Sequence, residues 1–99
     1  MPSSKDYLSY VLEDLLRDVY NITYKKMMGE YLLYKDSILF GGIYDDRLLV
    51  KKTKSIERFN LKEAIPYPNA KAMFLVDSED SDEISEIISL VVKDLADRS

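Results

Sequence analysis

Six carboxylates crowd ten residues, Asp77, Glu79, Asp80, Asp82, Glu83 and Glu86, and clustered oxygen ligands are what calcium and magnesium require. The run lacks the glycine and the ligand spacing of an EF-hand loop. It stands instead where an apolar-periodic segment begins, and the unpaired amides and positive dipole end of a helix favour carboxylates there. Asp80 and Glu83 have capping-box spacing with aspartate as the cap. The reading taken is a helix start with a solvated face, so no metal and no cofactor is expected.

Cations gather at Lys51, Lys52, Lys54, Arg58 and Lys62, and Lys25 and Lys26 could extend the patch. This is the one plausible surface for a phosphate, a nucleotide or an acidic partner protein. Lysines also protect the edges of sheets from aggregation, and that role is the favoured one. Eight tyrosines are many for this length, and Tyr24, Tyr31, Tyr34, Tyr44 and Tyr67 fall in or beside the strand-rich region. Tyrosine interleaved with lysine can stack bases. No RNP-like motif accompanies them, so half-buried sheet positions or a protein interface explain them better.

Catalytic equipment is thin. The chain has no histidine and no cysteine, which removes the commonest general base, thiolate nucleophiles and most transition-metal ligands. The remaining Ser, Thr, Tyr, Lys and carboxylate groups show no pairing that spacing can defend, and no enzyme is expected.

Those residues must be positioned by few elements. Ser3 or Ser4 can cap a first helix with Asp6 in its first turn, and Tyr7, Leu8, Val11, Leu12, Leu15 and Val19 recur at spacings of three and four. That predicts an amphipathic helix of about four turns, ended by Tyr20-Asn21-Ile22-Thr23. A β-meander follows: Tyr24 to Met28, a reversal or bulge at Gly29, Tyr31 to Tyr34, a turn at Lys35-Asp36-Ser37, Ile38 to Tyr44, a hairpin at Asp45-Asp46, and Arg47 to Lys51. Strict alternation puts Ile38, Phe40, Gly42 and Tyr44 on one face of the third strand and Leu39, Gly41 and Ile43 on the other. Leu48 and Val50 oppose Arg47, Leu49 and Lys51. Both faces of the central strand are therefore apolar: helices should cover one, and the tyrosine-bearing one should be partly exposed or engaged with a partner. Gly41-Gly42 costs about 0.5–1 kcal/mol per glycine in mid-strand, which points to tight packing, a bulge or a ligand approaching the backbone.

From Thr53 or Ser55 a short second helix should bury Ile56, Phe59 and Leu61 or Ala64 before Pro66 ends it. Pro66-Tyr67-Pro68-Asn69 reads as a stiff loop, Lys71 to Val76 as a fifth strand of unassigned position, and Ile84, Ile87, Ile88, Val91 and Leu95 as the stripe of a long last helix with Lys93 and Arg98 near its negative end. The expectation is one domain over residues 1–99, α+β and two-layer, with an antiparallel sheet of about five strands and helices on one face, in the order α-β-β-β-β-α-β-α.

Charge narrows the partners. With 14 basic and 18 acidic residues the net charge is −4 and the pI near 4.8, so DNA, RNA and anionic lipid repel the molecule as a whole. Direct nucleic-acid binding is disfavoured. No run approaches the ~18–20 apolar residues of a membrane span, and MPSSKDYL lacks the apolar core of a signal peptide, so a cytosolic protein is expected.

Tyr24-Lys25-Lys26-Met27-Met28-Gly29-Glu30-Tyr31-Leu32-Leu33-Tyr34, Phe40-Gly41-Gly42-Ile43-Tyr44-Asp45-Asp46-Arg47-Leu48, Lys51, and Pro66-Tyr67-Pro68 with Ala70-Lys71 together resemble the TfoX (Sxy) N-terminal domain family. The likeness runs from the first helix to the last. It implies a two-layer, secretion-chaperone-like fold. The family's namesake is a positive regulator of natural competence acting with the cyclic-AMP receptor protein, so the resemblance implies a regulatory, protein-binding role. In those regulators a helical C-terminal domain follows. This sequence ends at Ser99, and a stand-alone copy of the domain is the expectation. Ser37 stands where members often place glycine. The family offers no catalytic residues to carry over, and its shared glycines and Pro66 are read as fold determinants. The functions weighed are thus a regulatory protein-interaction module, a small-anion or nucleotide binder through Gly41-Gly42 and the Lys51, Lys52, Lys54, Arg58 patch, and a direct DNA-binding regulator. A homodimer is compatible with an exposed sheet face or edge.

Overall fold

Three reversals define the centre of the molecule. In the computed structural model, which describes residues 4–97, strands β1 (Ile22–Met27), β2 (Glu30–Lys35), β3 (Ile38–Ile43) and β4 (Leu48–Val50) are joined by short turns. Both central residues of each turn have positive φ: Met28 and Gly29 at 52° and 82°, Asp36 and Ser37 at 50° and 68°, Asp45 and Asp46 at 53° and 54°. That is the type I′ geometry, whose twist matches the flanking strands. Two further strands, β5 (Glu63–Ala64) and β6 (Met73–Leu75), complete a six-stranded antiparallel sheet in the order β1-β2-β3-β4-β6-β5. The fold is α+β. The sheet has one strand more than the sequence predicts, because Glu63–Ala64, read as a helix end, pairs with Phe74 and Met73.

The face pattern of β3 is reset by a bulge. Tyr34 pairs with Leu39 and Leu33 with Gly41, so Phe40 is an extra residue opposite that step. Strict alternation assigned Ile38 and Phe40 to the side of Gly42 and Tyr44. Phe40 instead joins Ile43, Leu48 and Val50 in the main core, with Ile38 packed against it, and Leu39 moves to the opposite face.

The helical layer covers that core. α2 (Ser81–Asp97) buries Ile84, Ile87, Ile88 and Val91 completely, four of the five stripe residues that the spacing predicts, and the fifth, Leu95, is partly buried against the same core. Its first turn is capped by Asp80, whose Oδ1 accepts from the amides of Asp82 at 2.9 Å and Glu83 at 3.4 Å. α1 (Lys5–Tyr10) is capped by Ser4, whose Oγ accepts from the Tyr7 amide at 3.0 Å. Ser3, the other candidate cap, and Arg98 lie outside the described residues.

Two helical expectations are corrected. The first helix is shorter than four turns and passes into a π-helical turn over Val11–Leu15, closed by a 2.8 Å bond from the Leu16 amide to the Val11 carbonyl. The wider turn brings the adjacent Leu15 and Leu16 both into the core. The second helix is a 3₁₀ helix, Lys54–Phe59, which buries Ile56 and stops at Asn60, not at Pro66. Asn60 takes φ 54°, a left-handed stop that asparagine tolerates better than most residues. The Asp94 carboxylate ties this helix to α2, accepting from the Ser55 amide at 2.9 Å and hydroxyl at 2.7 Å. Among the described residues no helix is long and apolar enough to cross a membrane.

Candidate functional site

The second face of the sheet, away from the helices, carries a groove of about 800 Å³. Its floor is Leu32 of β2 and Leu39 of β3, and its far wall is the segment from Pro66 to Met73. That segment is held in shape by buried Pro66, by Asn69 at φ 71°, and by a 3.1 Å bond from the Ala70 amide to the Tyr67 carbonyl. Lys51, Lys52 and Lys71 stand around the same groove, with Met27 at its other end. An apolar floor with cations around it suits an extended ligand that is apolar on one side and acidic on the other.

A tyrosine pair closes one side. The Tyr44 ring lies over Gly42 and is 6.2 Å from the Tyr67 ring. Tyr44 is buried, whereas Tyr67 is 58% exposed. Burial pushes the Tyr44 phenol above its ordinary value of 10.0, and nearby Tyr67, Glu30 and Tyr34 add to the rise. It therefore stays a neutral hydroxyl at any physiological pH. Tyr67 and Pro66 also line an adjoining groove of about 730 Å³ with Met28, Ile65 and Arg47. Arg47 braces this corner, donating from Nε to the Tyr44 carbonyl at 3.1 Å and from Nη2 to the Ile65 carbonyl at 3.3 Å.

The sequence-selected cations do not all converge. Lys51 and Lys52 reach the groove, although the Lys52 ammonium also sits 3.0 Å from the Glu63 carboxylate and 5.5 Å from the Phe74 ring. Arg58 turns to the helical layer, 3.6 Å from the Glu86 carboxylate and 4.4 Å above the Phe59 ring. Lys54 is exposed at the start of the 3₁₀ helix and does not line the groove. Lys71 takes their place. Its position directly after the proline-rich loop was the signal available for it.

The tyrosines divide in the same way. Tyr31 is buried in the core under the helices, edge-on to Tyr24 at 5.9 Å. Tyr34, half-buried, shares its face with Leu32 and Leu39 through its pairing with Leu39, and Tyr44 lines the groove itself. The glycine pair is filled by the protein's own atoms. A Cβ on Gly41 would collide with the Leu49 carbonyl oxygen, and one on Gly42 would stand 2.5 Å from the Tyr31 carbonyl oxygen and 2.9 Å from the Tyr44 ring. Among the described residues no three carboxylates are grouped to hold a metal ion.

No family model matches the chain, and no curated protein matches it.

Proposed function

We propose that this chain is a regulatory domain of the TfoX N-terminal kind, working in the cytoplasm by gripping a partner protein in the groove between the sheet and the Pro66 to Met73 segment. One observation carries the reading. Residues that bear the family resemblance but lie far apart in sequence, Met27, Gly41, Tyr44, Lys51, Tyr67 and Lys71 among them, line one groove on one face. The groove joins apolar and aromatic surface to lysine, the composition of a protein interface with a charged rim. The partner it fits is an extended acidic segment with apolar anchors, lying over Leu32 and Leu39 with its carboxylates toward Lys51 and Lys71.

The test is affinity capture from native extract at low salt, comparing the unaltered chain with a Lys51→Glu/Tyr67→Ala variant of the same thermal stability. The reading expects at least one protein retained by the unaltered chain and lost by the variant. Equal retention by both would count against it. The three lysines also suit a small anion. In that case capture would be empty while phosphate raised the melting temperature, by an amount equivalent to about 2.7 kcal/mol at 100 times its dissociation constant.

A further inference from the structure

The two edges of the sheet are unequal. On one side β5 is only two residues long, while on the other β1 is a six-residue strand whose residues from Thr23 to Met27 are all exposed. Short edges, bulges and edge lysines are ways in which proteins blunt an edge, and β1 has only the last of these, Lys25 and Lys26. The bulge here lies between β2 and β3, which leaves β1 regular.

The hydrogen-bond phase of β1 shows which groups it offers. The Asp36 amide donates to the Asn21 carbonyl at 3.1 Å, so Asn21 is on the bonded phase with β2. Antiparallel alternation then puts Thr23, Lys25 and Met27 in bonded pairs with Tyr34, Leu32 and Glu30. The amides and carbonyls of Ile22, Tyr24 and Lys26 point away from the sheet, and none has a hydrogen-bond partner among the described residues.

We infer that β1 pairs antiparallel with β1 of a second copy of this chain about a two-fold axis at Tyr24, joining the two sheets into one. A two-fold axis perpendicular to the sheet keeps like faces together, so paired positions must have the same parity. Centring on Tyr24 satisfies the bonding phase as well. Tyr24 meets the partner's Tyr24 and Ile22 meets the partner's Lys26, in about six inter-chain hydrogen bonds.

The side chains choose this register too. Tyr20, Tyr24 and Met28 are 78%, 51% and 96% exposed. Tyr20 and Met28 flank β1, and the Tyr24 register brings each to the end of the strand where the partner's copy of the other lies, while Tyr24 meets the partner's Tyr24 and Met27, 44% exposed, meets the partner's Asn21. Lys25 and Lys26 face Thr23 and Ile22 rather than each other. A register centred on Lys25 would oppose two ammonium groups directly, which is destabilising. This interface uses the backbone edge of β1, which adjoins the groove only at its Met27 end, and it stands whether or not the groove binds a protein.

Light scattering on the eluted full chain at about 100 µM tests it. The expected result is twice the 11.5 kDa chain mass. Tyr24→Pro should give the monomer mass with unchanged circular dichroism, because the amide it removes points outward and makes no bond within the chain. Should that variant misfold, Tyr24→Lys opposes two cations at the axis and should likewise give the monomer. The chain has no cysteine, and bonded antiparallel pairs hold Cα atoms about 5.5 Å apart, within disulfide reach. Tyr24→Cys should therefore oxidise to a covalent dimer much faster than Thr23→Cys. A monomeric unaltered chain, a dimer indifferent to every change at Tyr24, or equal cross-linking from both cysteine variants would each overturn the proposal. An edge reserved for a foreign acidic strand gives the first of these results.

Discussion

At Gly41 the chain leaves no room for a methyl group. The nearest atom to its missing Cβ is the Leu49 carbonyl oxygen and the next is the Val50 Cα at 2.8 Å, both backbone atoms of the neighbouring strand. Relief requires moving β3 away from β4, beneath α2. Gly41→Ala should therefore cost about 1–3 kcal/mol by the usual scale of overpacking, read as a lower urea midpoint with unchanged slope. At neighbouring Gly42 the Tyr44 ring takes part of the space, so this glycine helps to set the tyrosine that walls the groove. The need for two mid-strand glycines was legible from their cost alone. Which atoms fill the space was not, because that depends on strand register. Lys71 and Arg58 show the same limit. A cation's type is visible in a sequence, but whether it reaches the groove or pairs with a carboxylate on another element depends on distant contacts such as Glu86.

At the scale of elements, the reversals are the most legible part of the fold. Gly29, Asp36-Ser37 and Asp45-Asp46 mark them by residue type, and all three are tight hairpins. Ser37 carries φ 68°, a conformation that costs an ordinary L-residue roughly 1–2 kcal/mol and glycine almost nothing. Ser37→Gly should thus stabilise the protein by about 1 kcal/mol after allowing for the added freedom of the unfolded chain, seen as a higher melting temperature. What stayed hidden were departures from ideal periods. The extra residue at Phe40 reverses the faces of β3, and the π turn draws both Leu15 and Leu16 inward. Neither carries a composition signature, because both are settled by packing against α2 and its neighbours. The 3₁₀ helix is short for a related reason. Asn60 can take a left-handed stop and Glu63–Ala64 gains a pairing partner in β6, so tertiary pairing outweighs local helix propensity.

At the scale of the whole molecule, one sheet serves two purposes on two sides. Its helix-covered face holds the core, and its other face, roofed in part by the Pro66 to Met73 segment, holds the groove. The sequence foretold that division from the apolar character of both faces of the central strand. It could not place β6 beside β4, the pairing that carries the preceding Pro66 to Met73 segment over the sheet. The net charge of −4 makes the lysines at the groove a local exception, and an acidic segment would be drawn to them over roughly a Debye length, about 8 Å at physiological salt. The most direct measurement is site-specific photo-cross-linking in native extract, with a photo-reactive phenylalanine analogue at position 67 in the groove or at Glu57, an exposed residue on the 3₁₀ helix. The groove account predicts a discrete adduct with a second, different protein from position 67 and none from position 57. No adduct from position 67, or the same adducts from both positions, would contradict it.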